Sequence, residues 1–180
     1  ALIVRGQTLW SPDDVAEQIG RHRITIADVP TSYLEGLLTP DSQRAMRGLR
    51  ILIIGGEAAL SEILRSKKFD QTILNEYGPT EATVAATNFA VPPHAAIAHD
   101  TMYLPIGRPI SNTQVYVLDA RLRPAPVGAE GEIFIGGDGV TLGYLNRPEL
   151  TAERYQDDPF SADPEARMYR TGDLGRWLSN

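Results

Sequence analysis

Cysteine is absent from the 180 residues, so disulfides, thiolate metal sites and a cysteine nucleophile are excluded at the outset. Histidine is scarce, and His22, His94 and His99 share no ligand spacing, so surface or packing roles are expected for all three. Long apolar runs are missing too. Stretches such as Ile51-Leu52-Ile53-Ile54 are far too short for a membrane helix. Basic residues are outnumbered, 17 against 23, and the net charge of −6 argues against a general nucleic-acid or anionic-membrane surface. A local basic pocket stays compatible with that balance. Ala1–Val4 carries no basic n-region or cleavage site, so no secretory signal is read there. No internal repeat or low-complexity tract interrupts the chain. The remainder, 42% hydrophobic and 22% charged, has the composition of a soluble globular protein, expected in the cytoplasm. A chain that opens inside an apolar run and stops at Trp177-Leu178-Ser179-Asn180 is expected to be cut from something longer.

The first half alternates short apolar runs with helix signals. Ala1–Val4 reads as a strand, and Ser11-Pro12-Asp13-Asp14 as a helix start. There Ser11 can cap free amides, Pro12 suits the first helical position, and two aspartates face the positive end of the dipole. Val15 and Ile19 then share a face. Strands follow at Ile24–Val29, Leu49–Ile54 and Gln71–Glu76, with helices over Ser32–Leu38 and Leu60–Lys68, Ile63 and Leu64 pointing inward. Strands alternating with helices predict a parallel sheet buried on both faces. Near Ala90 the character changes, and Val91-Pro92-Pro93-His94 reads as a linker. Strands are predicted at Thr113–Leu118 and Glu132–Gly136, turns at Arg123-Pro124-Ala125-Pro126 and Gly136-Gly137-Asp138-Gly139, and one helix over Glu149–Tyr155. The expected organisation is α/β: a parallel βαβ layer over 1–92, then a mainly antiparallel, barrel-like β subdomain over 93–180. Asp157-Asp158 reads as a solvated loop, and Arg65-Ser66-Lys67-Lys68 as a solvated helix end.

In an open α/β sheet, ligands bind at the carboxyl ends of strands. Those ends carry Asp28, then Gly55-Gly56-Glu57, then Asn75-Glu76-Tyr77-Gly78-Pro79-Thr80-Glu81. Strand ends are polar loops in any case. Three such ends together, with an aromatic ring and a carboxylate close in sequence, favour a site. A tyrosine ring offers a flat face to a base, and Gly78 lets backbone approach a ligand closely. Thr80 brings a hydroxyl, and Glu81 a hard oxygen suited to magnesium.

The run Tyr77–Glu81, with Ala82-Thr83-Val84-Ala85-Ala86-Thr87 after it, resembles the signature of the amino-acid adenylation domains of nonribosomal peptide synthetases, members of the adenylate-forming superfamily. Two further stretches match the same family in order. One runs from Gly131-Glu132-Ile133-Phe134-Ile135-Gly136-Gly137-Asp138-Gly139-Val140 through Gly143-Tyr144-Leu145. The other is Tyr169-Arg170-Thr171-Gly172-Asp173. Pro105–Ile110 and Asn146–Thr151 read alike, so the likeness covers nearly the whole chain. Thr141-Leu142 stands where Ala-Arg is frequent.

The resemblance implies activation of an amino acid with ATP to an aminoacyl-adenylate, followed by transfer to a phosphopantetheine thiol on a carrier protein. It also implies partners in a peptidyl carrier domain and neighbouring synthetase domains, and no nucleic acid or membrane. Thr80 and Glu81 take catalytic roles, with Glu81 the Mg2+ ligand. Gly56, Glu57, Asn75, Tyr77, Gly78 and Asp173 border the nucleotide, Tyr77 against adenine and Asp173 accepting from the ribose hydroxyls. Asp28, Ile53, Gly55, Glu76, Val84 and Ala85 fall at positions lining the side-chain pocket. Two carboxylates there favour a basic amino acid slightly over one that is merely oriented by a hydrogen bond. The family's phosphate loop, its aspartate for the substrate amino group and its C-terminal catalytic lysine lie outside this sequence, so inactivity is expected of the segment alone. The alternatives are an acyl- or aryl-CoA ligase of the same superfamily, and a non-catalytic nucleotide-binding or interaction module. Intact Thr80, Glu81 and Asp173 speak against the latter.

Overall fold

The computed structural model describes residues 2–3, 7–66, 68–92 and 102–179. Ala1 and Val4 of the expected first strand, Lys67, and His94 and His99 lie outside the described residues; Leu2 and Ile3 belong to no strand. Two compact units are present. One comprises Ala1–Glu76 and Phe89–Gly107, the other Tyr77–Asn88 and Arg108–Asn180, so each draws on two separate pieces of chain. No helix among the described residues is long and apolar enough to cross a membrane.

In the first unit, helix α1 (Pro12–His22) begins where its sequence predicts. The Asp14 amide donates to Ser11 Oγ at 3.2 Å, while Asp14 Oδ2 accepts from the Ser11 amide at 2.8 Å, a reciprocal cap. Its inward residues are Ala16 and Ile19, with Val15 packed beside them. Strands β1 (Ile26–Pro30), β2 (Ile51–Gly55) and β3 (Thr72–Tyr77, its last residue counted with the second unit) follow one another in parallel register. A 3-10 turn over Thr31–Tyr33 leads into α2 (Leu34–Leu37). Helix α3 (Pro40–Ala45) is an addition to the sequence reading, although Thr39-Pro40-Asp41 repeats the start signal of α1 and Thr39 Oγ1 caps it in the same way. Helix α4 spans Ser61–Ser66.

The parallel arrangement is as predicted, but burial on both faces is not found. Strand β2 alternates: Leu52 and Ile54 are fully buried, while Ile51, Ile53 and Gly55 are only partly so. Because side chains alternate along a strand, one face carries the core and the other is left more open. Val29, Leu52, Ile54 and Ile73 occupy the core face, packed with Leu34, Leu37, Met46 and Leu64.

In the second unit, Thr87–Asn88, the opening of β4 (Thr87–Ala90), pair antiparallel with β5 (Arg108–Pro109). Strands β6 (Thr113–Leu118), β7 (Gly131–Gly137), β8 (Tyr155–Asp157) and β9 (Arg167–Gly175) form an antiparallel sheet in the order β6-β7-β9-β8, with α5 (Pro148–Arg154) before β8. The mainly antiparallel part is therefore present, but as an open sheet. A barrel needs its edge strands paired with each other, and β8 offers only three residues at that edge. Asp158 also departs from expectation. It is buried, not solvated, because its carboxylate accepts from Tyr116 Oη at 2.9 Å and from the Phe160 amide at 2.9 Å. Gly136 leaves the room, since a methyl there would sit 2.7 Å from Asp158 Oδ2.

Leu52, at the centre of β2 and fully buried, makes the simplest test of the first core. Leu52→Ala is expected to cost about 2–5 kcal/mol, seen as a lower urea midpoint at unchanged slope.

Candidate functional site

Parallel pairing decides which strand-end residues of the first unit share a face. Asp28 is opposite Ile53, and Gly55 is opposite both Pro30 and Glu76. With a two-residue period, Asp28, Ile53, Gly55 and Glu76 therefore lie together on the open face, away from Leu52 and Ile54. Gly55 is required by the close passage of β3, because a Cβ would stand 2.9 Å from the Glu76 carbonyl oxygen. Asp28 lies at the exposed rim and Glu76 is half-buried. Burial raises both carboxyl pKa values, and the Asp28 charge raises that of Glu76 further.

Asn75 is separated from this group. It pairs in register with Ile54 on the core face, is buried, and donates from Nδ2 to the Pro105 carbonyl at 2.9 Å. Its amide thus anchors the backbone at Pro105. Gly56 and Glu57 are exposed beyond β2, and Gly56 takes φ 82°, a conformation that favours glycine. Thr31, which the sequence reading passed over, holds this loop. Its hydroxyl lies 3.2 Å from the Gly55 carbonyl and 3.1 Å from that of Glu57. The only signal was its place just after the proline that ends β1.

In the second unit, Tyr77 donates from Oη to Asp173 Oδ2 at 2.6 Å. Burial, and then the Asp173 bond, raise the Tyr77 pKa, so the phenol stays a neutral donor. Asp173 is aimed by a β-bulge. Between the pairs Glu132↔Leu174 and Phe134↔Arg170, β9 spends two more residues than β7, and Gly172 takes φ 85° within that excess. Thr171 Oγ1 donates to the Ile133 carbonyl at 2.8 Å and accepts from the Asp173 amide at 3.0 Å, fixing the bulge at both ends.

Thr80 and Glu81 open a 3-10 turn over Thr80–Ala82; Thr80 is exposed and Glu81 half-buried. Glu81 Oε1 accepts from Tyr144 Oη at 2.5 Å, the main reason its pKa is lowered. Next come Thr83 and Val84, both at positive φ (58° and 72°), a strained conformation for β-branched residues. Val84 is 69% exposed and Ala85 half-buried. Gly78 is required by the chain's own packing. A methyl there would meet the Ala86 amide at 2.6 Å and the Val84 carbonyl oxygen at 2.7 Å.

These motifs sit in a chain whose residues 1–145 match the family model described as AMP-binding enzyme. The chain belongs to the AMP-binding enzyme family. Among its relatives, malpibaldin synthetase of Mortierella alpina is 52% identical over 173 residues, covering 92% of this chain and 3% of the synthetase. Tyrocidine synthase 1 of Brevibacillus parabrevis is 38% identical over 178 residues, covering 99% of this chain and 16% of that protein. The solved N-terminal subdomain of Klebsiella oxytoca NpsA, in complex with 3-hydroxybenzoyl-AMSN, superposes with TM-score 0.83 at 25% identity. That match covers 96% of this chain and 43% of the NpsA chain. This AMP-binding segment thus spans a small part of the synthetases it resembles. The likeness to nonribosomal peptide synthetases read from three ordered motifs stands.

Gly78 provides a local test. Gly78→Ala is expected to destabilise the loop over 78–86 by about 1–3 kcal/mol, appearing as faster amide exchange at Ala86, whose N–H bonds the Tyr77 carbonyl at 2.8 Å.

Proposed function

We propose that this chain is part of the amino-acid-activating domain of a nonribosomal peptide synthetase. In that reaction a carboxylate oxygen of the amino acid attacks the α-phosphorus of ATP and pyrophosphate leaves. The acyl carbon is then taken by a phosphopantetheine thiol on a carrier domain, with release of AMP. The observation that carries the reading is the pair of carboxylates in the second unit, Glu81 and Asp173, each fixed by a tyrosine hydroxyl. Both fall in stretches that resemble synthetase motifs, and both are oriented by their own chain, which lowers the cost of binding.

Asp173 is assigned to the ribose hydroxyls, which a carboxylate can accept from two sides. The ring of Tyr77, whose hydroxyl is tied to Asp173, is assigned to adenine. Gly56 and Glu57 are assigned to the border of the nucleotide, and Thr80 to its phosphate or the acyl carboxylate. Glu81 fits magnesium. Its carboxylate is held ionised by the Tyr144 bond, and among the described residues no three His, Asp or Glu converge into an all-protein cage. One carboxylate completed by water and phosphate oxygens is the usual habit of that ion. When bound, it neutralises charge on the triphosphate.

Asp28 and Glu76 point the reading toward a basic amino acid. They share the open face of β1–β3 with Ile53 and Gly55. Each carboxylate there is destabilised by partial burial, and a cationic side chain between them relieves both penalties. Ile53 supplies apolar surface for its stem, and Gly55 lets β3 pass close enough to bring Glu76 to the same face.

Pyrophosphate exchange by the full-length protein tests these assignments. Arginine, lysine or ornithine is expected to be the preferred amino acid, and a clear preference for an aliphatic or acidic one would overturn the basic pocket. Glu81→Gln is expected to lower kcat on the order of 100-fold, since it removes charge stabilisation needed as pyrophosphate departs. Asp173→Ala is expected to raise the KM for ATP about tenfold or more, through lost hydrogen bonds to a charged acceptor.

A further inference from the structure

Glu81 is gripped twice by one short segment. The Thr141 amide donates to the Glu81 carbonyl at 2.9 Å, and the Tyr144 hydroxyl donates to Glu81 Oε1 at 2.5 Å. A third link, from Thr83 Oγ1 to the Gly139 carbonyl at 2.6 Å, ties the residues after Glu81 to the same segment. Gly139 through Tyr144 therefore brace both the backbone and the carboxylate of the 3-10 turn.

Tyr144 is itself locked. Its amide donates to Thr151 Oγ1 at 2.9 Å, and Thr151 Oγ1 donates on to the Arg147 carbonyl at 2.9 Å. Gly143, at φ 133°, packs where a methyl would run into the Thr151 side chain. The Tyr144 ring meets Tyr155 edge-on at 5.6 Å, and Tyr155 packs on Tyr169 at 5.1 Å. The Tyr169 hydroxyl lies 3.3 Å from that of Tyr144. Thr141 adds a bond of 2.7 Å between its hydroxyl and Tyr155 Oη. The cluster leaves Tyr144 Oη little freedom to aim anywhere but at Glu81.

We propose that Tyr144 is a positioning residue for Glu81, braced by Tyr169 and Tyr155, and that it sets the affinity of the Glu81 carboxylate for a divalent cation. This rests on the assignment of Glu81 to magnesium. The choice of a phenol has a chemical reason. A lysine or arginine partner would orient the carboxylate but cancel the charge a cation needs. A neutral O–H fixes one oxygen and leaves the full negative charge in place.

The test is Mn2+ binding to the full-length protein with a non-hydrolysable ATP analogue, read by electron paramagnetic resonance, alongside pyrophosphate exchange at varied Mg2+. Tyr144→Phe removes only the hydroxyl and keeps the ring against Tyr155. It is expected to weaken Mn2+ about tenfold, the size of one hydrogen bond to a charged group. It should also raise the Mg2+ needed for half-maximal exchange while leaving the KM for the amino acid unchanged. In a Glu81→Gln background, Tyr144→Phe should add no further loss. Tyr169→Phe should shift Mn2+ binding in the same direction by less, which keeps the question open to answer if Tyr144→Phe folds poorly. Wild-type Mn2+ affinity in both tyrosine variants, with weak binding in Glu81→Gln, would overturn the role of Tyr144 and spare that of Glu81. Wild-type Mn2+ affinity in Glu81→Gln would overturn both.

Discussion

Tyrosine hydroxyls hold the two acidic side chains to which the proposed function assigns the second unit's chemistry. Tyr77 donates to Asp173 and Tyr144 to Glu81, at 2.6 and 2.5 Å. A short bond to a carboxylate is stronger than one between neutral groups, and partial burial strengthens it again. Much of the surrounding structure can be understood as support for these bonds. The bulge in β9 turns Asp173 outward, Thr171 pins the bulge to β7, and the aromatic cluster of Tyr144, Tyr155 and Tyr169 keeps a donor over Glu81. Loss of either phenol would leave a carboxylate in place but less firmly oriented.

The first unit relies on a different constraint, the alternation of side chains across a parallel sheet. One face of β2 is closed by Leu52 and Ile54, and the other is left to Ile53 and Gly55. The same alternation puts Asp28 and Glu76 on the open face and Asn75 on the closed one. A slip of one residue in β1 or in β3 would turn its carboxylate into the core. Asn75 shows how strict this is: adjacent in sequence to Glu76, it is buried and committed to Pro105.

Strain is concentrated in a few residues after Glu81. Thr83 and Val84 hold consecutive positive φ angles, which β-branched side chains adopt at a cost of about 1–3 kcal/mol each. The bond from Thr83 to Gly139 and the close backbone packing at Gly78 hold the loop there. Such a conformation persists only where its surroundings determine it, and here they include the segment that also carries Tyr144.

Local chemistry made a good part of this readable beforehand. The cap at Ser11, the apolar run of β2, β6 with its ends at Thr113 and Leu118, and α5 follow from propensity, periodicity and turn residues, which act over a few neighbours. The motifs around Glu81 and Asp173 were legible for the same reason, as contiguous strings. Strand β9 was not, because its sequence, Arg167–Gly175, carries polar residues and a Thr-Gly-Asp run that suggest a turn; only pairing with β7 and β8 makes it a strand with a bulge. Nor was the burial of Asp158, which depends on Tyr116, 42 positions away. The partners of the two carboxylates assigned to the proposed site are more remote still, 96 positions for Tyr77 and Asp173 and 63 for Tyr144 and Glu81. The types of group available are written in the sequence, but a hydrogen bond needs two atoms within about 3 Å, and only the folded chain brings these together.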